Sequence, residues 1–340
     1  MNHTDYIKIA AVNASSLKHI LPQADGSPLK YKHRLTVERP DTPEMLVGRA
    51  FHCSTSEPEK YEERYIVLQG SQPDGWRQIW EADRDGELEK HFAIFDALTK
   101  KGTPYMKRGG AEWDSFCAKH GDDPRPIILV HELERARDLG DMVGDREMLT
   151  PEQDQRARAM AGAVQAHKAA MEHIRGCRYE ETITATDPET GLLLKGRVDC
   201  IGPGREVDLK KTSFSLSPAY RWGFGFQSEK LLYHFQRAFY RHVLMLAGAA
   251  GSDFRQYIVA ARDPGAGMKE PADAAIYPIG ESLLAAGDKL VRVALRTLAA
   301  CLELDVWPGV APGMQAAMEA GRWTPGAEDE EMSDDEGVGF

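Results

Sequence analysis

The sequence predicts an α/β fold, and two observations carry the prediction. Short β-branched and apolar runs bounded by Gly and Pro recur between residues 179 and 279, and three longer segments, at about 151–174, 228–246 and 282–304, repeat apolar residues at helical spacing. With 340 residues the chain can build one large α/β domain or two smaller ones with a substantial core.

Near the N-terminus, Asn13 or Ser15 can cap a short helix through Leu17–Leu21 that Pro22 ends. The basic run Lys30–Arg34, with Tyr31 inside it, reads as a solvated surface helix, or more sharply as a phosphate contact. Thr42 and Pro43 start the next helix as N-cap and first residue, and it carries Gly48 and His52 on one face. A glycine there leaves room for another backbone or for DNA. His52 by itself reads as a structural histidine and gains interest only beside carboxylates.

Tyr65–Leu68 reads as a strand, and the section from 70 to 148 is the least informative. It holds a second basic region, Lys100-Lys101 and Lys107–Gly110, a helix over Glu112–Lys119, and Pro126–Val130, which fits a strand or a buried helical turn. From Thr150 the signals sharpen. Thr150-Pro151-Glu152-Gln153 is a capping-box arrangement opening a helix to about Ile174. Tyr179–Thr186 follows as a strand whose Glu180 or Glu181 can face a metal or simply solvent, and Asp187–Gly191 is a turn.

The chemistry concentrates in Gly196–Thr212. Leu192–Leu194 and Val198–Ile201 are apolar runs, Gly202-Pro203-Gly204 is a turn signal, and Glu206–Lys210 is a short alternating segment, so the stretch reads as strand, turn, strand. A turn centred between Pro203 and Gly204 places Asp199 opposite Asp208, where cross-strand Cβ atoms lie roughly 5 Å apart. Lys210 shares the face of Asp208, two residues on. Val198, Cys200, Val207 and Leu209 would give the hairpin an apolar opposite face that seats it in a core. Two carboxylates that close can share a divalent ion, oxygen ligands suit Mg²⁺ or Mn²⁺, and a lysine beside them can orient a water and stabilise a phosphate. Metal-assisted hydrolysis of a phosphodiester is the reaction class this implies.

After the hairpin, residues 212–225 read as a loop with two exposed aromatics, Tyr220 and Trp222. The helix over about Ser228–Leu246 puts Tyr233, Gln236, Arg237 and Tyr240 on one face, a polar and aromatic mix where a plain core helix presents Leu or Ile. Gln256–Ala260 and Ala275–Ile279 read as strands, Ser282–Leu304 as a final helix, and Trp307-Pro308-Gly309 as the end of the ordered domain.

Composition adds bounds. The net charge of −11 requires any DNA-binding surface to segregate its basic residues, and part of the excess sits in Glu328–Glu336, an acidic tail expected to be disordered. Five widely spaced cysteines without a C-x-x-C pair give no support to a disulfide framework, a zinc site or an iron–sulfur cluster and read as buried thiols. No apolar run reaches the roughly 18 residues of a membrane span, so the expected location is the cytoplasm.

Together Ser15-Ser16-Leu17, Gly48–His52, Glu57-Pro58-Glu59, Leu149–Glu152, Glu180, Gly196–Asp199, Asp208-Leu209-Lys210 and Tyr233–Tyr240 resemble the PD-(D/E)xK nuclease superfamily and, within it, RecE-like exonucleases of the exodeoxyribonuclease VIII type from phages and prophages. The resemblance implies a restriction-endonuclease-like core, a central mixed β-sheet flanked by helices, as a single domain over 1–310 followed by a tail at 311–340. It implies Asp199, Asp208, the Leu209 carbonyl, His52 and Glu180 around Mg²⁺ or Mn²⁺, with Glu181 as the alternative register for Glu180. It also implies Lys210 beside the attacking water and Gln236 and Tyr240 as supports of the site and the bound strand. The family's usual Asp-Leu-Lys-Thr here reads Asp-Leu-Lys-Lys-Thr, which leaves Thr212 without an assigned role.

Such enzymes degrade linear duplex DNA from the 5′ end and leave a 3′ single strand. The expected partners are therefore double-stranded DNA ends, a single-strand annealing protein that the acidic tail could dock, and further copies of the chain in a ring. A RecB- or Cas4-like single-strand nuclease and a non-catalytic DNA-end-binding protein are the alternatives. The iron–sulfur members of the Cas4 branch need a cysteine cluster this sequence lacks, and it has no helicase P-loop.

Overall fold

The strands β3 (Arg178–Thr186), β4 (Leu193–Gly202), β5 (Arg205–Thr212), β6 (Arg255–Arg262) and β7 (Asp273–Pro278) lie side by side in that order in one mixed sheet. Only the β5–β6 pair is parallel, and it is joined by a crossover through two helices, as parallel neighbours require. The structure, a computed structural model, describes residues 6, 8–37, 41–70, 76–85 and 125–310. The basic region at 100–110, the helix expected over 112–119 and the acidic tail lie outside the described residues.

Helices cover both faces of the sheet. One face carries α3 (Pro43–Ser56), α7 (Pro151–Ala166) and α8 (Lys168–Ile174), where Phe51, Met160, Val164 and Ile174 pack against Cys200, Val207, Leu209 and Val259. The other carries α1 (Ala14–Leu17), α10 (Tyr233–Leu246) and α11 (Glu281–Leu304), where Leu17, Phe235, Phe239 and Leu295 pack on Leu194, Val198 and Ile201. Each of these side chains is at most a few per cent exposed, and burying one contributes roughly 1.5–3 kcal/mol before the entropy of ordering it. Between α1 and α3 runs α2 (Pro28–Thr36), the basic helix.

A second, two-stranded parallel sheet pairs β1 (Tyr65–Val67) with β2 (Glu147–Leu149). It packs with α5 (Trp76–Arg84) and α6 (Arg125–Val143), and α4 (Tyr61–Arg64) leads into it. Residues Pro126–Val130 are thus helical, and β2 carries no strand signal of its own. Three residues are too few for an alternation to register.

Two helices differ from their sequence expectation in instructive ways. Thr150 makes the full capping box with Gln153, but the helix breaks at His167, whose backbone is extended and whose ring Nδ1 accepts from Ala170 N–H to cap α8. The helix expected from Ser228 is two helices, α9 (Phe224–Lys230) and α10, separated by Leu232 in the left-handed region at φ 55°. That conformation costs about 1–2 kcal/mol, which burial of the leucine side chain offsets. Of the two apolar runs, Leu193-Leu194 and Val198–Ile201 belong to one strand, β4, and Leu192 precedes it.

Candidate active site

The β4–β5 ladder pairs Gly202 with Arg205, Ile201 with Glu206 and Cys200 with Val207. Continued by one step, that register sets Asp199 opposite Asp208, as the turn predicts. The ladder stops at that step. Neither the β3–β4 nor the β4–β5 ladder pairs Asp199, and its neighbour across β3 is Glu180, which stands at φ 53° while pairing resumes in register on both sides of it.

The irregularity also shows in packing. Val198 and Ile201 both pack on the α10 face and Cys200 packs on the opposite one, so the alternation of faces slips by one residue at Asp199. This corrects the expectation that Val198 joins Cys200, Val207 and Leu209 in one apolar face. Instead of backbone pairing, Leu209 N–H donates to Asp199 Oδ2 at 2.8 Å. A side chain has replaced a rung of the sheet.

This gap brings three expected residues together. His52, Glu180 and Asp199 each offer a ligand atom within 4.8 Å of the others, which suits donors surrounding one ion at 2.0–2.2 Å apiece. His52 Nδ1 stands 3.6 Å from Asp199 Oδ2, too far for a direct hydrogen bond. The left-handed Glu180 turns its carboxylate into the cluster and accepts from Arg197 Nε at 2.6 Å, whereas Glu181 is more exposed and lies 3.7 Å from Arg178. The three residues line a cleft of about 710 Å³ whose walls also include Arg49, Lys60, Arg64 and Arg197. Gly48 faces open space, since a Cβ there would meet nothing within 4 Å.

Asp208 is held apart from that cluster. Its Oδ1 lies 2.7 Å from a guanidinium nitrogen of Arg237, and its Oδ2 lies 2.6 Å from Lys210 Nζ. Arg237 also grips Glu206, and Gln256 donates to Glu206 and to the Arg237 carbonyl at 2.9 Å. Arg237, Glu206, Asp208 and Gln256 are all buried, so the charges must compensate one another.

The two carboxylates therefore differ electrostatically. Burial, reinforced by Asp208 and Glu180 and opposed by His52, pushes the Asp199 carboxyl up to about 6. Burial also acts on Asp208, but Arg237 and then Lys210 outweigh it and hold that carboxyl below its ordinary range.

Tyr240 lies buried beneath the site. Its ring packs at 3.4 Å from where a Cβ on Gly196 would sit, so the glycine before Arg197 admits the ring, and the Arg237 guanidinium stacks 4.7 Å from its centroid. Gln236, half-buried, makes no hydrogen bond to a site carboxylate among the described residues. Lys210 also lies 5.2 Å from the Tyr233 ring, and Lys18 is near enough for Lys210 to help burial lower its pKa. Thr212 is buried and its hydroxyl joins β5 to the next helix by donating to Gln227 Oε1 at 2.5 Å. The extra Lys211 bonds Glu44 and lies 3.1 Å from Asp263.

Sequence reasoning left Arg237, Glu206, Gln256 and Lys18 out of the site. Arg237 had a signal, a cation inside the aromatic run Phe235–Tyr240. Lys18 had none.

The donor set of two carboxylates and an imidazole fits a divalent cation. The sequence profile of a family described as a PDDEXK-like domain of unknown function, DUF3799, matches residues 141–319, more than half of the chain. The chain belongs to this PDDEXK-like family. Its fold is the α/β core of PD-(D/E)xK nucleases, and nuclease is the functional class that follows. The matched residues hold Glu180, Asp199, Asp208 and Lys210, while His52 lies outside them and joins this PDDEXK-like site through α3. A search of curated proteins finds no match. Among solved structures, one described as "Putative exonuclease" from Eubacterium rectale aligns over 88% of this chain and 87% of that chain, at 12% identity and a TM-score of 0.46. No helix among the described residues is long and apolar enough to cross a membrane.

Proposed function

We propose that the protein is a divalent-metal-dependent deoxyribonuclease that degrades linear duplex DNA as an exonuclease, from the 5′ end, leaving 3′ single strands for annealing. The observation that carries the reading is the convergence of His52, Glu180 and Asp199 at the gap in the sheet, with Asp208 and Lys210 on the adjoining strand. In this reading His52, Glu180 and Asp199 would hold the cation, with Asp208 and the Leu209 carbonyl of the adjoining strand as the further ligands that would complete its shell. When bound, Mg²⁺ polarises the scissile phosphate and lowers the pKa of water. Lys210 orients the attacking water and, with Lys18 nearby, offsets the charge that builds on the phosphoryl oxygens. Arg237 keeps Asp208 ionised and aimed, and Tyr240 supports Arg237 from below.

The reading extends to a ring of identical chains around DNA, an annealing-protein partner and a cytoplasmic setting in a bacterium or phage-infected host. End-labelled linear and circular duplexes incubated with Mg²⁺ test it. Cleavage confined to linear DNA and released first from the 5′ label is expected, with a loss of at least roughly 1,000-fold in Asp208→Ala. Undiminished cleavage by Asp208→Ala would sink the site assignment, and cleavage of the circle would sink the exonuclease mode.

A further inference from the structure

The loop that leaves β5 just after Lys210, Lys211 and Thr212 lies in an acid-free stretch of the chain. Between Asp208 and Glu229 there is no carboxylate, while Lys210, Lys211 and Arg221 fall within the stretch. The same loop exposes Tyr220 by 56% and Trp222 by 49%, large apolar surfaces that a soluble domain ordinarily buries.

The loop is built rather than loose. Leu216 and the neighbouring Phe224 are buried against Ile258 and Ala260 of β6, Phe224 stacks 5.1 Å from Tyr277, and the Tyr277 hydroxyl donates to the Leu216 carbonyl. Phe224 N–H donates to Ser215 O at 2.8 Å and Gly223 N–H to Tyr220 O at 2.9 Å. A Cβ on Gly223 would lie 2.7 Å from the Ser215 carbonyl, so the crossing of the two loop arms needs glycine there. With its base anchored, the loop presents Tyr220 and Trp222 to solvent from a fixed frame. Arg221 lies over the Trp222 ring at 4.9 Å, and Phe226 meets that ring edge-on at 4.9 Å. Ser213, Phe214, Ser215, Tyr220, Trp222 and Arg262 line a cleft of about 450 Å³, where Arg262 is ion-paired with Glu270 and Arg221 stands beside Trp222.

Ser213 is three residues beyond Lys210, about 10 Å along a strand, or about three stacked nucleotides. Exposed aromatic rings beside the Arg221 guanidinium and the Ser213 and Ser215 hydroxyls match single-stranded nucleic acid, whose bases stack on such rings and whose phosphates need positive charge. We propose that Tyr220, Arg221 and Trp222 form a stacking platform for unpaired bases of the DNA strand that passes the nuclease site. The platform rests on the nuclease reading for its substrate class. It adds a specific place where the strand is gripped after it leaves the duplex.

Fluorescence anisotropy of a labelled single-stranded oligonucleotide, measured with the full chain in EDTA, tests binding without cleavage. Trp222→Ala should weaken binding roughly 5- to 100-fold. Trp222→Phe, which keeps a stacking face, should restore most of it, and an unchanged melting temperature in both would confirm that the fold survives. Wild-type affinity in both Trp222→Ala and Tyr220→Ala would overturn the platform. So would unchanged affinity accompanied by a change in mass by light scattering, which would mark the surface as a protein contact. If the wild-type chain neither binds nor cleaves DNA, the nuclease reading fails with it. If it binds and cleaves while Trp222→Ala and Tyr220→Ala both bind equally well, only the platform fails.

Discussion

Asp199 and Asp208 stand on adjacent strands one step beyond their last paired residues, yet the protein treats them in opposite ways. Asp199 opens on a cleft beside His52 and Glu180, with its carboxyl raised towards neutrality by burial and neighbouring acids. Asp208 is sealed in the sheet's α10 face, its negative charge enforced by Arg237 and Lys210. The difference separates two tasks within one pair. Asp199 has an unmet need for positive charge, which a cation would meet, and Asp208 is locked in orientation before any cation arrives.

Breaking the lock should have the largest effect. Arg237→Leu leaves Glu206 as a buried acid without a counter-charge and Asp208 with Lys210 alone, and a destabilisation of roughly 3–5 kcal/mol in urea unfolding is expected. Adding Glu206→Gln to that variant should recover part of the loss. A stability unchanged from wild type would show that Asp208 needs no clamp.

The open side predicts a stability that falls as pH rises. An acid whose folded pKa is raised from 3.8 to about 6 makes the folded state bind its proton more tightly than the unfolded chain. The metal-free protein should then lose roughly 2–3 kcal/mol as pH rises from about 4 through 6. Mg²⁺ should restore stability above pH 6, because it competes with the proton for the carboxylate. Thermal melts of wild type and Asp199→Asn across this range isolate the contribution, and the variant should show neither the decline nor the Mg²⁺ shift.

A smaller effect tests whether clamping by cations is general. Burial raises the Asp263 carboxyl, but Arg156, Gly265 N–H and Lys211 outweigh it and lower the group to about 2. Its contribution is present above the unfolded value near 4 and lost as pH falls towards 2. Asp263→Asn should cost roughly 2 kcal/mol at pH 7 and almost nothing near pH 2. A cost independent of pH would mean packing, not charge, holds that corner.

Much of this architecture is local and therefore readable from the chain. The Thr42-Pro43 and Thr150-Pro151 helix starts, the Pro203-Gly204 turn and the Asp199–Asp208 register follow from backbone chemistry within a few residues. Lys210 follows too, because strand periodicity alone sets it beside Asp208. Where the reading failed, the cause was tertiary. Leu232 and His167 interrupt their helices because packing and capping outweigh an intrinsic preference of about a kilocalorie, and β2 exists only because β1 lies beside it.

The sequence by itself determined the hairpin that carries the two aspartates and the lysine, since both strand alternation and turn geometry act over short distances. Only the tertiary structure decided that Glu180 rather than Glu181 turns inward, that His52 arrives from a helix 147 residues upstream of Asp199, and that Arg237 grips Asp208 from the α10 face. Those choices depend on a left-handed backbone at one residue and on charges that find each other only after both faces of the sheet are covered. No local pattern encodes them, because their energy resides in burial.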